Sequence, residues 1–522
     1  MGLCAGCGGE RPADAARRAG TLLLGNGPEP ESLDPHRSTS LPAFSVQMAL
    51  FEGLVTPHPG TMEPMPGVAE RWEISEDGRQ YRFYLRNTAR WSDGAPVTAD
   101  DFVAAWCRAL DPAGGSAYAA MLYSIQGAED YHRGTGPLEN LAVRAVSDDL
   151  LEIRLRQPTP YFLHLLMHPV CFPMPAHLRS VFPFSEQAVE WKAGDPFVGN
   201  GPFVLSAWRP GQVLEVEASS TYWDAEAVRL KRIHFMVIDE PGAEERAFLA
   251  GQLHVTDALP PARVEHYRAS AEPAFRSDPF LATYYILPNH RRGPLSDQRV
   301  RAALSLSIDR ESLVRHLLSG GERAADQFVP DTMPGYAGPG GGGEFDPDRA
   351  RALLAEAGFP DGRGFPVLRY LYNSSESHRR IAEALQAMWQ SELNVSIELV
   401  NQEWRTYLQS RENGAFDLAR AVWIGDYPEP SSFLQLWESS HANNWTGWAD
   451  PAYDTSMREA MGLADAADRS RVYALAERRL MEEAVILPLY FYVTNYLKDP
   501  ALRGWYPTLL DWHPYKFLYF AE

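Results

Sequence analysis

The spacing of apolar and polar residues changes repeatedly along the chain, and each change marks an element. Thr21-Leu22-Leu23-Leu24-Gly25 is a short apolar run closed by glycine and predicts a first strand. Phe44, Met48, Phe51 and Val55 recur at helical spacing and predict a helix over 44–54, with Gly53 as its stop. Tyr81, Phe83 and Leu85 alternate with polar residues after the turn Glu76-Asp77-Gly78, which predicts a hairpin. A second hairpin is predicted over 143–155. Thr98 with Asp101 three residues on predicts a capped helix start. Part of 175–191 reads as helix, and 213–218 and 232–237 read as strands. From Leu281 onward strand and helix patterns alternate: strands at 283–287, 368–372 and 395–399, with a helix pair at 297–320 and helices at 346–358, 378–392 and 404–411. A long amphipathic helix over 465–484 and a β run over 486–493 follow. Such alternation predicts a mixed α/β domain.

One stretch carries a candidate for chemistry. Residues 420–433 begin as an apolar strand with Ala419, Ala421, Val422 and Trp423, break at Gly425, place a carboxylate at Asp426, and turn at Pro428 and Pro430. A carboxylate at the rim of an apolar wall can hold a cationic ligand group such as a peptide α-ammonium. Asp also caps turns, and from this segment alone that is the commoner role. Arg420 precedes Asp426 by six residues, and an even offset on a regular strand directs both side chains to one face.

Composition narrows the partners. The 522 residues suffice for two or three domains. With 48 basic and 68 acidic side chains the net charge is −20, which argues against nucleic acid or anionic lipid as the main partner. The 14 Trp, 23 Tyr and 23 Phe suit both core packing and a ligand cleft walled by rings. No apolar run is long enough for a transmembrane helix. No hydrolase, metalloprotease, phosphate-loop or dinucleotide motif is present, and the histidines lack ligand spacing. No metal, cofactor or catalysis is therefore expected. Cys107 and Cys171 have apolar neighbours and are expected as buried free thiols, although sequence leaves their pairing open. Cys4 and Cys7 form a C-x-x-C with no second pair, so a redox or zinc site is not expected. Ala5-Gly6-Cys7 resembles the end of a bacterial lipoprotein signal, without the charged and apolar regions that precede one. The expectation is that Met1 lies downstream of the natural start, that Cys7 is lipidated, and that residues 1–19 form a flexible tether.

Several segments in order resemble one family. They include Glu31-Ser32-Leu33-Asp34-Pro35-His36, Leu50-Phe51-Glu52-Gly53-Leu54, Pro66-Gly67-Val68-Ala69-Glu70-Arg71-Trp72 and Trp91-Ser92-Asp93-Gly94 through Phe102. Thr283-Tyr284-Tyr285, Val300-Arg301-Ala302-Ala303-Leu304, Asn401-Gln402-Glu403-Trp404 and Phe416-Asp417-Leu418-Ala419-Arg420 add to them. Together they resemble the extracytoplasmic solute-binding proteins of peptide ABC importers (family 5), most nearly the oligopeptide-binding type. The resemblance implies an α/β, periplasmic-binding-protein-like (Venus flytrap) type II fold, with two ligand-enclosing lobes and an extra small α+β domain. Lobe I would comprise 20–51, 176–279 and 494–522, domain II 52–175, and lobe III 280–493. Asp426 matches the carboxylate that receives the peptide ammonium. Arg420, His378 and Arg411 match basic positions for peptide carboxylates. Trp404, Trp423, Tyr285, Asn373, Asn443, Tyr492 and Tyr118 match pocket-wall positions. The sequence departs from the family's pattern at Thr39 and Leu318, where an acid and a lysine are expected, and at Ala282 and Ile424, where a disulfide is expected. The implied partners are short peptides and ABC permease membrane subunits, with no nucleic acid, membrane contact only through a lipid anchor, and a monomeric receptor outside the cytoplasm. A binder of specialised ligands such as murein peptides or dipeptides is the alternative. A secreted hydrolase is the alternative of another class.

Overall fold

The computed structural model describes residues 10–114, 116–178, 197–441 and 443–521. Its residues fall into two compact units, one spanning Met1–Asp278 with Thr494–Glu522 and the other Pro279–Val493. The expectations for Cys4, Cys7 and most of the 175–191 helix lie outside the described residues.

In the first unit, Thr21–Gly25 pairs in parallel with Arg232–Met236, and Val213–Ala218 and Phe203–Arg209 complete a four-stranded sheet. The Ala69–Ile74, Gln80–Leu85, Leu150–Arg154 and Val143–Ser147 strands form a second sheet, built from the two expected hairpins. Thr98 and Asp101 make the expected capping box, which begins the Ala99–Ala109 helix. The helix expected at 44–54 instead runs Leu41–Leu50. Ser40 caps it and Pro42 occupies its first turn, so local capping outweighs the apolar spacing that points further on. Residues 1–19 do not all form a tether. Pro12–Arg18 is a helix, and Ala13 is bound at both backbone groups, its N–H donating to Gly251 O at 2.8 Å and its carbonyl meeting His254 Nε2 at 2.9 Å. A backbone pinned in this way is ordered. Cys107 and Cys171 are both free; Cys171 is buried as expected and Cys107 is partly exposed.

The second unit is organised by a six-stranded sheet in the order Arg323–Ala324, Leu487–Leu497, Phe275–Pro288, Leu418–Ile424, Leu368–Asn373, Ile397–Gln402. The last three strands are mutually parallel, and the 418–424 strand is antiparallel to 275–288. Helices Gln298–Leu306, Pro347–Glu356 and Glu376–Leu393 bury Leu304, Leu354, Leu385 and Trp389 in a core with Ile286, Tyr370 and Leu418. Trp389 Nε1 satisfies itself on Leu304 O at 3.0 Å, so its ring can be fully buried.

Candidate functional site

The Leu418–Ile424 strand is interior to its sheet, and its register decides what each residue meets. Ile424 lies opposite Ala282, Val422 opposite Tyr284, and Arg420 opposite Ile286. The two positions expected to lack a disulfide are thus direct cross-strand partners. After Ile424 the ladder continues for one bond, from Gly425 N to Leu281 O at 2.8 Å. A Cβ at Gly425 would sit 2.7 Å from the Leu281 side chain and 2.8 Å from the Phe433 ring, so the chain passes here only as glycine.

Asp426 follows this squeeze. Its N–H donates to Ser432 Oγ at 2.8 Å, and Trp423 Nε1 donates to Ser432 O at 2.6 Å. The buried Ser432 therefore closes the turn, and the Asp426 carboxylate does not cap it. Among the described residues no donor reaches that carboxylate. The nearby acid Glu429, by contrast, is paired with Arg469 at 3.0 Å. Burial with no compensating partner pushes the Asp426 carboxyl up to about 7. The expectation that Arg420 and Asp426 share one strand is corrected: the strand ends at Ile424, because the Gly425 passage interrupts its alternation.

Around Arg420 the groups are cationic or neutral. Arg420 is 7 % exposed. One of its terminal nitrogens donates to Asn373 Oδ1, while its Nε is buried with no partner. Its guanidinium lies 5.6 Å from the Trp404 ring centre and 5.2 Å from that of Tyr407. Arg411, one helix turn beyond Tyr407, approaches the same ring and stacks at 3.9 Å over Trp445. Its Nε is likewise buried and unpartnered. Among the described residues neither guanidinium is paired with a carboxylate. The candidates for such pairing are committed elsewhere: Asp417 accepts from Arg369 N, and Glu403 caps the Trp404–Glu412 helix. His378 contacts the Tyr284 hydroxyl at 3.5 Å. Burial, with the Arg420 charge beside it, holds its imidazole down to about 4. The position expected to be basic is therefore an uncharged ring at neutral pH.

The remaining expected residues divide. Burial raises the Tyr285 and Tyr492 phenols while the Arg420 charge acts on both in the opposite sense, which places them beside the cations. Trp404 is 48 % exposed and stacks on Tyr407. Asn443 accepts from Trp445 N at 3.0 Å and so borders the Arg411 stack. Tyr118 belongs to the first unit, where it packs on Phe44 and His168. Sequence reading missed Tyr407, Trp445 and Ser432. Trp404, Tyr407 and Arg411 at i, i+3 and i+7 were a usable helical signal. Nothing local marks Trp445.

A mixed α/β chain that presents a bare half-buried carboxylate, two bare guanidiniums and exposed rings describes a ligand-binding protein. The chain belongs to the bacterial extracellular solute-binding proteins, family 5, whose middle-region model matches residues 63–445. It has their two-lobe type II fold. It is 38% identical over 485 residues to the periplasmic murein peptide-binding protein MppA of Escherichia coli K12, covering 91% of this chain and 88% of that one. It is 34% identical over 495 residues to the periplasmic oligopeptide-binding protein OppA of the same organism, covering 93% and 89%. A solved structure of E. coli MppA matches with a TM-score of 0.83 at 37% identity over 96% of this chain and 98% of that one. Haemophilus influenzae OppA in complex with the peptide RPPGFSPFR matches with a TM-score of 0.82 at 31% identity, covering 96% and 99%. Among the described residues no helix is long and apolar enough to cross a membrane.

Proposed function

We propose that this protein is an extracytoplasmic receptor that captures short peptides and delivers them to the membrane subunits of an ABC importer, without catalysis. The observation that carries the reading is the Asp426 carboxylate, half-buried and without a donor just beyond the strand that holds the carboxylate-free Arg420. A zwitterion in extended form supplies what each pole lacks: an ammonium for Asp426 and a carboxylate for Arg420, Arg411 and the neutral donor His378. Asn373, Asn443, Trp404, Trp423, Tyr285 and Tyr492 would line the ligand's path. Main-chain pairing gives affinity independent of side-chain identity.

The relation to MppA favours a second reading in the same class, a receptor for murein peptides. Mass spectrometry of ligand co-purified with the protein separates the readings. Mixed intact peptides support the general receptor, and a single muropeptide species supports the specialised one. Steady release of cleaved products from added peptides would instead show a hydrolase. The tether reading places a lipid on Cys7, and intact-mass analysis of the membrane-associated protein tests it. The receptor is expected to sediment as a monomer of 58.4 kDa.

A further inference from the structure

The helix Ala466–Glu482 buries one face, and that face carries two ionisable side chains, Arg469 and Glu477, beside Tyr473, Ala476 and Leu480. Burying ions is costly, and apolar residues in their place are often as stable, so stability alone does not account for the pair. Glu477 is 0 % exposed, and among the described residues no cation is paired with it. It accepts mainly from the backbone. Oε1 takes the Phe328 and Val329 N–H groups, each at 2.7 Å, and Oε2 takes the Tyr336 hydroxyl. The Phe328 carbonyl accepts from Thr283 Oγ1 at 2.7 Å, so both backbone groups of that residue are fixed. Its ring then meets Phe433 edge to face at 5.4 Å. Phe433 is the ring that closes on Gly425, immediately before Asp426.

Arg469 holds the other side of the same turn. It is buried, its Nε donates to Glu429 Oε1 at 3.0 Å, and Nη1 donates to the Leu463 and Ala464 carbonyls at 3.1 and 2.8 Å. The Glu429 carbonyl in turn accepts the Ser432 N–H at 2.9 Å. Ser432 is the residue whose Oγ receives the Asp426 N–H and whose carbonyl receives Trp423 Nε1. One helix therefore grips both flanks of Ser432: Glu429 directly, and Phe433 through Phe328. A binding carboxylate works only when the residues behind it hold it to about 0.5 Å. The Asp426 turn has no such hold from its own carboxylate, which bonds to nothing, so the hold comes from this helix.

We propose that Arg469 and Glu477 are positioning residues of the ammonium seat: by fixing the chain on either side of Ser432 they aim the Asp426 carboxylate at the ligand amine. The inference rests on the peptide-receptor reading and adds residues that act through the turn. The test is calorimetry of the full chain with trialanine and with propionyl-alanyl-alanine, which is trialanine without its amine. The ratio of the two affinities measures the seat alone. Glu477→Met removes the acceptor, and Arg469→Met paired with Glu429→Met removes the other tie without leaving a lone buried charge. Each should lower the ratio about tenfold. Glu477→Gln keeps an acceptor for the two N–H groups and Arg469→Lys keeps a cation for Glu429, so both should stay within about threefold of the unaltered protein. Near-ultraviolet circular dichroism shows which variants are folded. An unchanged ratio in a folded Met variant, including equal losses for both peptides, overturns the positioning role. Loss of folding in both Met variants also overturns it, because it assigns the pair to stability. Neither result touches the receptor reading, which fails only if neither peptide binds the unaltered protein.

Discussion

At the residue scale, the uncompensated charge of Asp426 has two measurable consequences. Asp426→Asn should weaken binding of free-amine peptides by roughly 2–5 kcal/mol, because the ammonium then lacks its counter-charge. Isothermal calorimetry reads the loss, and an N-acetylated peptide should bind both forms equally poorly. The second consequence is in pH. The carboxyl sits near 7 when folded, against an ordinary value of 3.8. Below about 3.8 it is protonated in both states and costs nothing. Between 3.8 and 7 the unfolded chain releases the proton and the folded one keeps it, so stability falls as pH rises, and the loss is complete above 7. A bound ammonium favours the ionised form, so binding releases a proton. Affinity should therefore fall by up to about tenfold per unit as pH drops below 7. Calorimetry in two buffers of different ionisation enthalpy counts that proton, and Asp426→Asn should abolish its release. Asp426 was legible in the sequence as a carboxylate at a strand end. Its lack of a partner was not, because Ser432 takes over the turn from six residues away.

At the element scale, the strand Leu418–Ile424 works because of what ends it. Gly425→Ala places a methyl against Leu281 and Phe433 and should destabilise by about 1–3 kcal/mol. Urea unfolding measures this, and peptide affinity should fall as Asp426 is displaced. The Trp404–Glu412 helix contributes through Tyr407, which is fully buried and whose hydroxyl donates to the Arg420 carbonyl. Tyr407→Phe should cost about 1–3 kcal/mol in unfolding free energy by leaving that carbonyl unpaired. The existence of both elements was readable from their periodicity. Their juxtaposition was not: Arg420 and Tyr407 meet only because 397–402 and 418–424 flank the same parallel strand, Leu368–Asn373. Similarly, the helix predicted at 44–54 moved to Leu41–Leu50, since Ser40 and Pro42 determine where it starts.

At the scale of the whole molecule, the net charge of −20 acts at a distance. Association of a lysine-containing peptide should slow severalfold between about 20 and 200 mM salt, whereas that of its norleucine analogue should hardly change. Stopped-flow fluorescence of the tryptophans tests this, and equal salt slopes for the two peptides would show that steering is absent. The described chain divides into compact units at Asp278/Pro279 and Val493/Thr494.

By itself the sequence determined the class of fold, most of the strands and helices and the family, and marked Asp426, Arg420, His378 and Arg411 as candidate binding groups. These follow from local periodicity, capping and motif order, all properties of neighbouring residues. Tertiary structure decided which of those charges are bare. Asp426, Arg420 and Arg411 stand without counter-charges among the described residues: Arg469 is paired with Glu429, Asp417 accepts from the Arg369 main chain, and Glu403 caps a helix. Pairing of that kind depends on chain packing across long separations, and no local pattern in the sequence encodes it. A cavity in the first unit, around Asp257 and Asp511, is of the same kind. It is assembled from segments near residues 25, 257 and 511 and exists only once they have come together.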